Sequence, residues 1–305
     1  MTDVSGGSAH AVRTVQADLA PPSANMGLVS VFRRRYLLRL LVRREVSARY
    51  SGSFLGLIWS YINPLSQFFI YWFVMGFLLN LHKDVPHFAV HVFSALIVVH
   101  FFIETFNAGT RSIVRNKGLV QKMAMPREMF PVASMLVSLY HVIPQIVILL
   151  IIDITYGWTP DAVGMGAAVM AIAIIMMLGT ALALMFSAAN VFFRDFASAV
   201  NILTNFVRFG VPMIYPFSIV PERFHGHTGA YLANPIADAV ILFQRAFWFT
   251  VPGGKQQITT HSSTGPAMPD HLFQHGAIAL VVAAVMLVLA QLIFSRLENR
   301  IPERL

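Results

Sequence analysis

Arginines recur near the N-terminus in a pattern that suits phosphate binding. Within residues 29–50, Arg35, Arg39 and Arg43 follow one another at every fourth position, while leucine and valine fill another sector of the helical wheel. This spacing predicts an amphipathic helix lying on an anionic membrane surface. Guanidinium groups, including that of Arg49 at the end of the stretch, offer paired donors to phosphate oxygens. The alternative is a solvated charged helix of a soluble domain.

Aromatic rings in the next segment form a second candidate site. Tyr61, Phe68 and Trp72 fall on one helical face. The neighbouring face carries Phe69, Phe73 and Phe77. Sugar rings stack their C–H faces on aromatic side chains, so the stripe of Tyr61, Phe68 and Trp72 predicts a surface past which a sugar polymer slides. The alternative is packing against lipid or at the membrane interface.

Patterns that carry catalysis are missing. The chain has no cysteine, and its 11 histidines are scattered rather than paired with a glutamate at helical spacing, so we expect neither thiol chemistry nor a metal site. Gly253-Gly254-Lys255 lacks the rest of a phosphate-binding loop. We therefore predict no catalytic residue, no metal and no cofactor in this chain. Any ATP that it uses must be hydrolysed by another polypeptide.

The elements that position these side chains must be membrane helices. Of the 305 residues, 56% are hydrophobic and 12% are charged, against about a quarter charged in soluble domains. Residues 1–28 have the composition of a disordered tail, and 296–305 form a short C-terminal segment. Apolar stretches long enough to span a bilayer occur near 54–79, 88–108, 130–152, 163–190, 199–220 and 276–294. The sequence predicts an all-α integral membrane fold with six transmembrane helices behind the interface helix at 29–50.

Positive charge is biased to one side of these spans. Seventeen of the 22 Lys and Arg residues fall in 32–49, 109–128, 191–208 and the C-terminal end. The intervening loops carry four. Cytoplasmic loops of membrane proteins are rich in Lys and Arg, so both termini are predicted to be cytoplasmic. The net charge of +8 thus reflects topology rather than a nucleic-acid partner.

Two segments depart from a simple crossing. Gly210, Pro212 and Pro216 interrupt the fifth span, so we expect it to end irregularly. Residues 231–250 are apolar but contain Asp238, which predicts a re-entrant helix that dips in from the outside rather than a seventh crossing.

Polar groups inside the spans are few. Glu104, Asp153 and Asp195 lie near predicted span ends, whereas an ion-coupled carrier would need a carboxylate near mid-depth. The deeper amides either hydrogen-bond between helices or line a wet path. They are Asn63, Gln67, Asn107, Asn190, Asn201 and Asn205.

Four stretches, in order, are similar to one family. They are ARYSGSFLGLIW at 48–59 with Asn63-Pro64-Leu65, MPREMFPVA at 125–133, FFRDFASAV at 192–200, and PMIYP at 212–216 followed by NPIADAVILFQRAFW at 234–248. Over about residues 30–295 the chain resembles the ABC-2 type permeases of polysaccharide exporters, which serve O-antigen, teichoic acid and cell-wall galactan. The N-terminal tail and the length of the loop at 251–274 depart from the family pattern.

The resemblance implies partners and a substrate. It implies a homodimer of this chain around a channel, with two copies of a cytoplasmic ATP-binding subunit that hold ATP and Mg. The expected substrate is a polysaccharide linked to a polyprenyl diphosphate and exported across the plasma (inner) membrane. Residues 51–295 would form the ABC-2 transmembrane domain, and 111–124 would be the coupling helix that docks on the ATPase. Acidic groups of that partner would face Arg111, Arg115, Lys117 and Lys122, unless these charges only set topology.

We hypothesise from these features that the diphosphate arrives at Arg35, Arg39, Arg43 and Arg49. The polymer would then pass between two copies of the first and fifth spans, past the stripe that begins at Tyr61. Two alternatives stay open at this point. One is an ABC-2 exporter of a small lipid or drug, and the other is an ion-coupled lipid flippase that needs no ATPase.

Overall fold

Helices account for nearly all regular structure in the computed structural model, which describes residues 27–80, 85–123, 125–223, 225, 228–252 and 268–304. Within these ranges no strand occurs. The predicted tail at 1–28, except its last two residues, and most of the predicted loop at 251–274 lie outside the described residues.

The helices follow one another along the chain. In order they are α1 (Gly27–Arg33), α2 (Arg35–Tyr50), α3 (Trp59–Ile70) continuing as a π-helix (Tyr71–Leu78), α4 (Phe88–Arg115), α5 (Lys117–Lys122), α6 (Met129–Thr155), α7 (Ala162–Phe192), α8 (Phe196–Phe209), α9 (Val220–Arg223), α10 (Thr228–Leu232), α11 (Pro235–Phe247), α12 (Leu272–Leu297) and α13 (Ile301–Arg304).

Four of these helices are long and apolar enough to cross a membrane, namely α4, α6, α7 and α12. They coincide with four of the six predicted spans. The first predicted span is divided into α3 and the π-helix, and α3 contains Pro64, which cannot donate a backbone hydrogen bond. The shape of this span therefore differs from the uninterrupted helix that hydropathy predicts.

The fifth predicted span ends early, as its sequence indicates. Helix α8 has 14 residues and stops at Gly210, and the chain then passes Pro212 and Pro216 without resuming a long helix. Helix α11 has 13 residues, which is about 20 Å at 1.5 Å per residue. It is too short for a seventh crossing, since the hydrocarbon core is about 30 Å thick.

The core is built where small residues let α4 and α7 approach closely. Gly109 lies against Ala183, and Thr105 lies against Gly179. Since both residue numbers rise together, the two helices run parallel. Helix α11 is buried against both of them, with most of its side chains inaccessible. These contacts form a rigid group of elements from which the remaining helices extend.

Helix α12 also runs parallel to α7, because Gly276 meets Met170 near its start and Phe294 shares a cluster with Ala188 near its end. Helices α4, α7 and α12 therefore finish at the same end of the bundle. We call it the basic end, because arginines cluster there. They include Arg111, Arg115, Arg194, Arg296 and Arg300.

The two ends of the described chain meet at the basic end. Val31 of α1 and Leu41 of α2 share one apolar cluster with Phe294 of α12. Gln291 of α12 sits directly over Gly27, leaving no room for a Cβ there. Beyond α12, Arg127 donates a 2.6 Å hydrogen bond to the backbone carbonyl of Glu298. The first and last described helices are thus held together.

Substituting Gly109 tests the close approach of α4 and α7. A Cβ at Gly109 would lie 2.4 Å from the Cβ of Ala183, so Gly109→Ala should destabilise the protein by about 1–3 kcal/mol through overpacking. Gly166→Ala on α7 is the matched control, since nothing lies within 4 Å of that position. The check is the thermal unfolding midpoint of each purified variant in detergent. Equal midpoints for the two variants would contradict this packing.

Candidate functional site

A polar cleft follows the inner face of α2. It consists of two adjoining cavities of about 250 Å³ each, which share Arg49 and Glu104. We call the pair the α2 cleft. The shallow cavity lies towards the basic end, between α2, α4 and α6. The deep cavity is completed by α3 and is lined by Tyr50, Trp59, Ser60, Asn63, His100 and His141.

An ion pair marks the junction of the two cavities. Arg49 of α2 donates to Glu104 of α4, and their side chains are 42% and 23% exposed. Glu104 lies 11 residues before the end of the 28-residue helix α4, which is about 16 Å along its axis. The sequence predicted Glu104 near a span end, but α4 continues as far as Arg115, so Glu104 is close to mid-helix. Its carboxylate has a cationic partner there.

Hydrogen bonds fix the end of α2 in the deep cavity. The Tyr50 hydroxyl lies 2.8 Å from Nε2 of His141 on α6, and the two rings meet edge to face. The same hydroxyl bonds Ser60 of α3. On the opposite wall, Nε2 of Gln145 lies 3.4 Å from Nδ1 of His100. The end of α2 therefore contacts three other helices through polar groups.

The shallow cavity links α2 to the connection between α4 and α5. Glu45 of α2 forms an ion pair with Arg115. The amide of Asn116 donates to Glu45 over 2.9 Å and accepts from Arg44 over 3.1 Å. Because Asn116 directly precedes α5, any movement of α5 acts on α2 through these bonds.

The predicted phosphate-binding arginines are found in two different settings. Arg49 lies in the α2 cleft, whereas three others project from the exposed side of α2. These are Arg35, Arg39 and Arg43. The helix buries Leu38 and Leu41 on its other side, as its periodicity predicts. The exposed row thus leads along α2 towards Arg49.

The predicted coupling residues are also divided. Arg111 belongs to the last turns of α4 and lies against α8, where it donates to the carbonyl of Ala197 over 3.4 Å. Arg115 is held by Glu45. Lys117 and Lys122, at the two ends of α5, are exposed. Of the four, the two lysines are therefore the ones most accessible to a partner.

The three predicted aromatic residues do not share one open surface. Phe68 packs edge to face on Phe93 of α4, with ring centroids 5.0 Å apart, so it belongs partly to the core. Tyr61 is half-buried and Trp72 is 40% exposed. The continuous exposed stack is instead the neighbouring face, where successive rings lie 5.8 and 5.9 Å apart. Its members are Phe69, Phe73 and Phe77.

Arg208 is not among the residues that the sequence assigns to a site. It was counted as part of a cytoplasmic loop at 191–208, but it occupies the last turn of α8, far from the start of that helix at Phe196. Its guanidinium donates to Oε1 of Gln67 on α3 over 3.3 Å. Continuing the helical period from Asn201 and Asn205 would have found it, because these three residues share one face of α8.

The part of the chain that forms the α2 cleft matches a known protein family. The family model of the ABC-2 type transporter matches residues 36–248, which covers α2 to α11 and therefore every element that lines the α2 cleft. The chain belongs to the ABC-2 type transporter family. Members of this family form the membrane part of ABC transporters and work with a cytoplasmic ATP-binding subunit.

Three relatives narrow the class further. The chain is 27% identical over 220 residues to the O-antigen export system permease protein RfbA of Myxococcus xanthus, which covers 72% of this chain and 82% of the relative. Two proteins of that name from Klebsiella pneumoniae are 26% identical over 213 residues and 25% identical over 227 residues. These matches cover 69% and 73% of this chain and 80% and 85% of the relatives. The chain is therefore the permease subunit of an ABC-2 exporter, and its relatives are transport subunits rather than enzymes.

The ion pair in the α2 cleft predicts that substitutions of Arg49 and Glu104 have non-additive effects on stability. Arg49→Gln leaves the Glu104 carboxylate unpaired near mid-helix and should lower the thermal unfolding midpoint, whereas Arg49→Gln with Glu104→Gln should recover most of the loss. Arg296→Gln, at an exposed position of α12, controls for loss of one positive charge. If the double variant melts as low as Arg49→Gln or lower, the two side chains are not energetically coupled.

Proposed function

We propose that this permease moves a polysaccharide linked to a polyprenyl diphosphate out of the cytoplasm and across the plasma membrane, for assembly of a surface or cell-wall glycan. The observation that carries the proposal is the α2 cleft. It combines a cation, Arg49, with polar groups and an exposed aromatic ring, Trp59. A diphosphate attached to a sugar requires these groups together.

The exposed arginines of α2 support a route into the cleft. Arg35, Arg39 and Arg43 attract an anionic headgroup to the surface of α2, and the row points towards Arg49. A diphosphate that reaches Arg49 competes with the Glu104 carboxylate for the same guanidinium. Trp59 and Asn63 then stack on and hydrogen-bond the first sugar. Substrate arrival therefore loosens the contact between α2 and α4.

A homodimer supplies the channel in this proposal. In one copy, Asn201 and Asn205 of α8 and the stacked rings of Phe69 and Phe73 are exposed. Polar side chains do not face lipid without cost, so a second copy covers this side and encloses a wet path. Between Ile278 and Ile293 the large exposed side chains of α12 are aliphatic, and this side faces lipid. The α3 and α8 regions complete six crossings, with both termini in the cytoplasm.

Two copies of an ATP-binding subunit drive the cycle from the basic end. They bind ATP and Mg and dock on α5, where Lys117 and Lys122 are exposed. Displacement of α5 reaches α2 through Asn116 and Glu45. Closure of the ATPase therefore acts on the cleft that receives the substrate.

Affinity purification from gently solubilised membranes tests the proposal directly. The expected result is a stoichiometric ATP-binding polypeptide together with a polyprenyl diphosphate that carries sugars. The ATPase with a small lipid and no sugar would favour the alternative ABC-2 exporter, to which the modest size of the α2 cleft is also suited. A protein that purifies alone in active form, without ATPase, would overturn the proposal.

The link between α5 and α2 predicts an uncoupled variant. Glu45→Gln removes the charge that holds Arg115, so ATP hydrolysis by the assembled complex should continue while export of the lipid-linked glycan falls several-fold. ATPase rate and export are measured on the same reconstituted preparation, with Arg296→Gln as the control. A parallel decrease in both quantities would indicate loss of assembly rather than loss of coupling.

A further inference from the structure

One face of α8 is polar although the helix is otherwise apolar. Ser198, Asn201, Asn205 and Arg208 follow one another at intervals of three, four and three residues, which places them on a single helical stripe. The first three are exposed. We call these four residues the α8 polar stripe. Exposed apolar side chains lie beside it, namely Ile202, Phe206 and Phe209.

Two hydrogen bonds to α4 set the depth of this stripe. Arg111 reaches the carbonyl of Ala197, and Asn107 donates to Oγ1 of Thr204 over 3.3 Å. Helix α8 therefore runs antiparallel to α4, away from the basic end. Arg208 lies one turn beyond Thr204 and about 18 Å along the axis from the start of α8. It interacts electrostatically with His100, which lies near the middle of α4.

Arg208 has no anionic partner within the described ranges of the chain, where no carboxylate oxygen lies within 4.0 Å of it. Its side chain donates to the neutral amide of Gln67. Among the described residues, the other half-buried arginines, Arg127 and Arg245, each have a carboxylate partner, in Glu298 and Asp161. An arginine at this depth without a carboxylate is costly, which is typical of a group that awaits an anion.

Arg208 also stands next to the α2 cleft. Its partner Gln67 lies one helical turn after Asn63, and Asn63 lines the deep cavity. Helix α3 thus joins the cavity that contains Arg49 to the end of the α8 polar stripe. An anion that leaves Arg49 in the outward direction meets Arg208 next.

We propose that Arg208 is a second anion site, which holds the diphosphate of the polyprenyl carrier after it leaves Arg49. This inference rests on the proposed function and adds a second binding site for the diphosphate to it. The fork of guanidinium donors matches phosphate oxygens, and Gln67 accepts from only one of its nitrogens in the structure. At Arg49 the diphosphate competes with the Glu104 carboxylate for the guanidinium. At Arg208 no carboxylate of the described residues competes with it. Movement of the diphosphate from Arg49 outward to Arg208 is therefore favoured.

The test uses the complete complex with its ATP-binding subunit in phosphatidylcholine nanodiscs. The probe is a polyprenyl diphosphate with a photoreactive group next to the phosphates, added with or without ATP, and labelled peptides are identified by mass spectrometry. We expect labelling in α2 without nucleotide and in α8 during turnover. Arg208→Gln should reduce α8 labelling at least about tenfold, Arg208→Lys should retain part of it because it keeps the charge but not the fork, and Arg296→Gln should leave it unchanged.

The outcomes separate this inference from the proposed function. Labelling of α2 alone in the wild type would overturn the Arg208 site and leave the proposed function in place. No labelling at either position would overturn both. If phosphatidylglycerol displaces the α8 label as well as unlabelled polyprenyl diphosphate does, Arg208 binds phospholipid headgroups and the diphosphate assignment is wrong. Since Arg208→Lys keeps the charge, its labelling distinguishes lost binding from lost folding.

Discussion

A carboxylate near the middle of a long apolar helix needs a cationic partner, and the ion pair between Arg49 and Glu104 supplies it. Helix α2 begins at the basic end, and without Glu104 its last turn would have to keep Arg49 in water. The pair therefore allows an otherwise superficial helix to reach the middle of the bundle. The α2 cleft exists because α2 is held there, and the bonds of Tyr50 to His141 and Ser60 depend on the same placement.

The protomer divides into a tightly packed part and a polar rim. Helices α4, α7, α11 and α12 meet through glycine, alanine and large apolar side chains, which leave little room for rearrangement. Helices α2, α3 and α8 are joined to them by fewer contacts, many of which are hydrogen bonds and ion pairs. Such bonds can exchange partners with a ligand or with water, whereas a packed apolar seam cannot. Rearrangement is therefore easier in the rim than in the packed part.

The sequence predicts the four long helices well because a run of apolar residues long enough to cross a bilayer nearly always forms a transmembrane helix. The early end of α8 follows from Gly210 and the prolines after it, and the exposed arginines of α2 follow from their spacing. Family membership is predicted by four short stretches in order. These features depend on local composition, which a single sequence contains in full.

Other features depend on tertiary contacts. Hydropathy shows where an apolar stretch ends, which is not always where the helix ends. The apolar stretch predicts that the span ends near 108 and places Glu104 close to that end, whereas α4 continues to Arg115. Arg208 was assigned to a loop for the same reason, because a charge after an apolar stretch resembles a boundary. The pairing of Arg49 with Glu104 joins residues 55 positions apart, and no local pattern specifies it. The inward turn of Phe68 onto Phe93 likewise requires the packed helices.

The contact between the first and last described helices has a consequence for biogenesis. Val31 packs in a cluster that includes Phe294, and Gln291 covers Gly27, so α1 cannot reach its final position until the ribosome has made α12. A nascent chain whose earlier helices have already entered the membrane still has α1 unanchored, and the α2 cleft is not yet held in place. Chains truncated before α12 therefore lack the clamp at the basic end, and α1 and α2 are left without one of their packing surfaces.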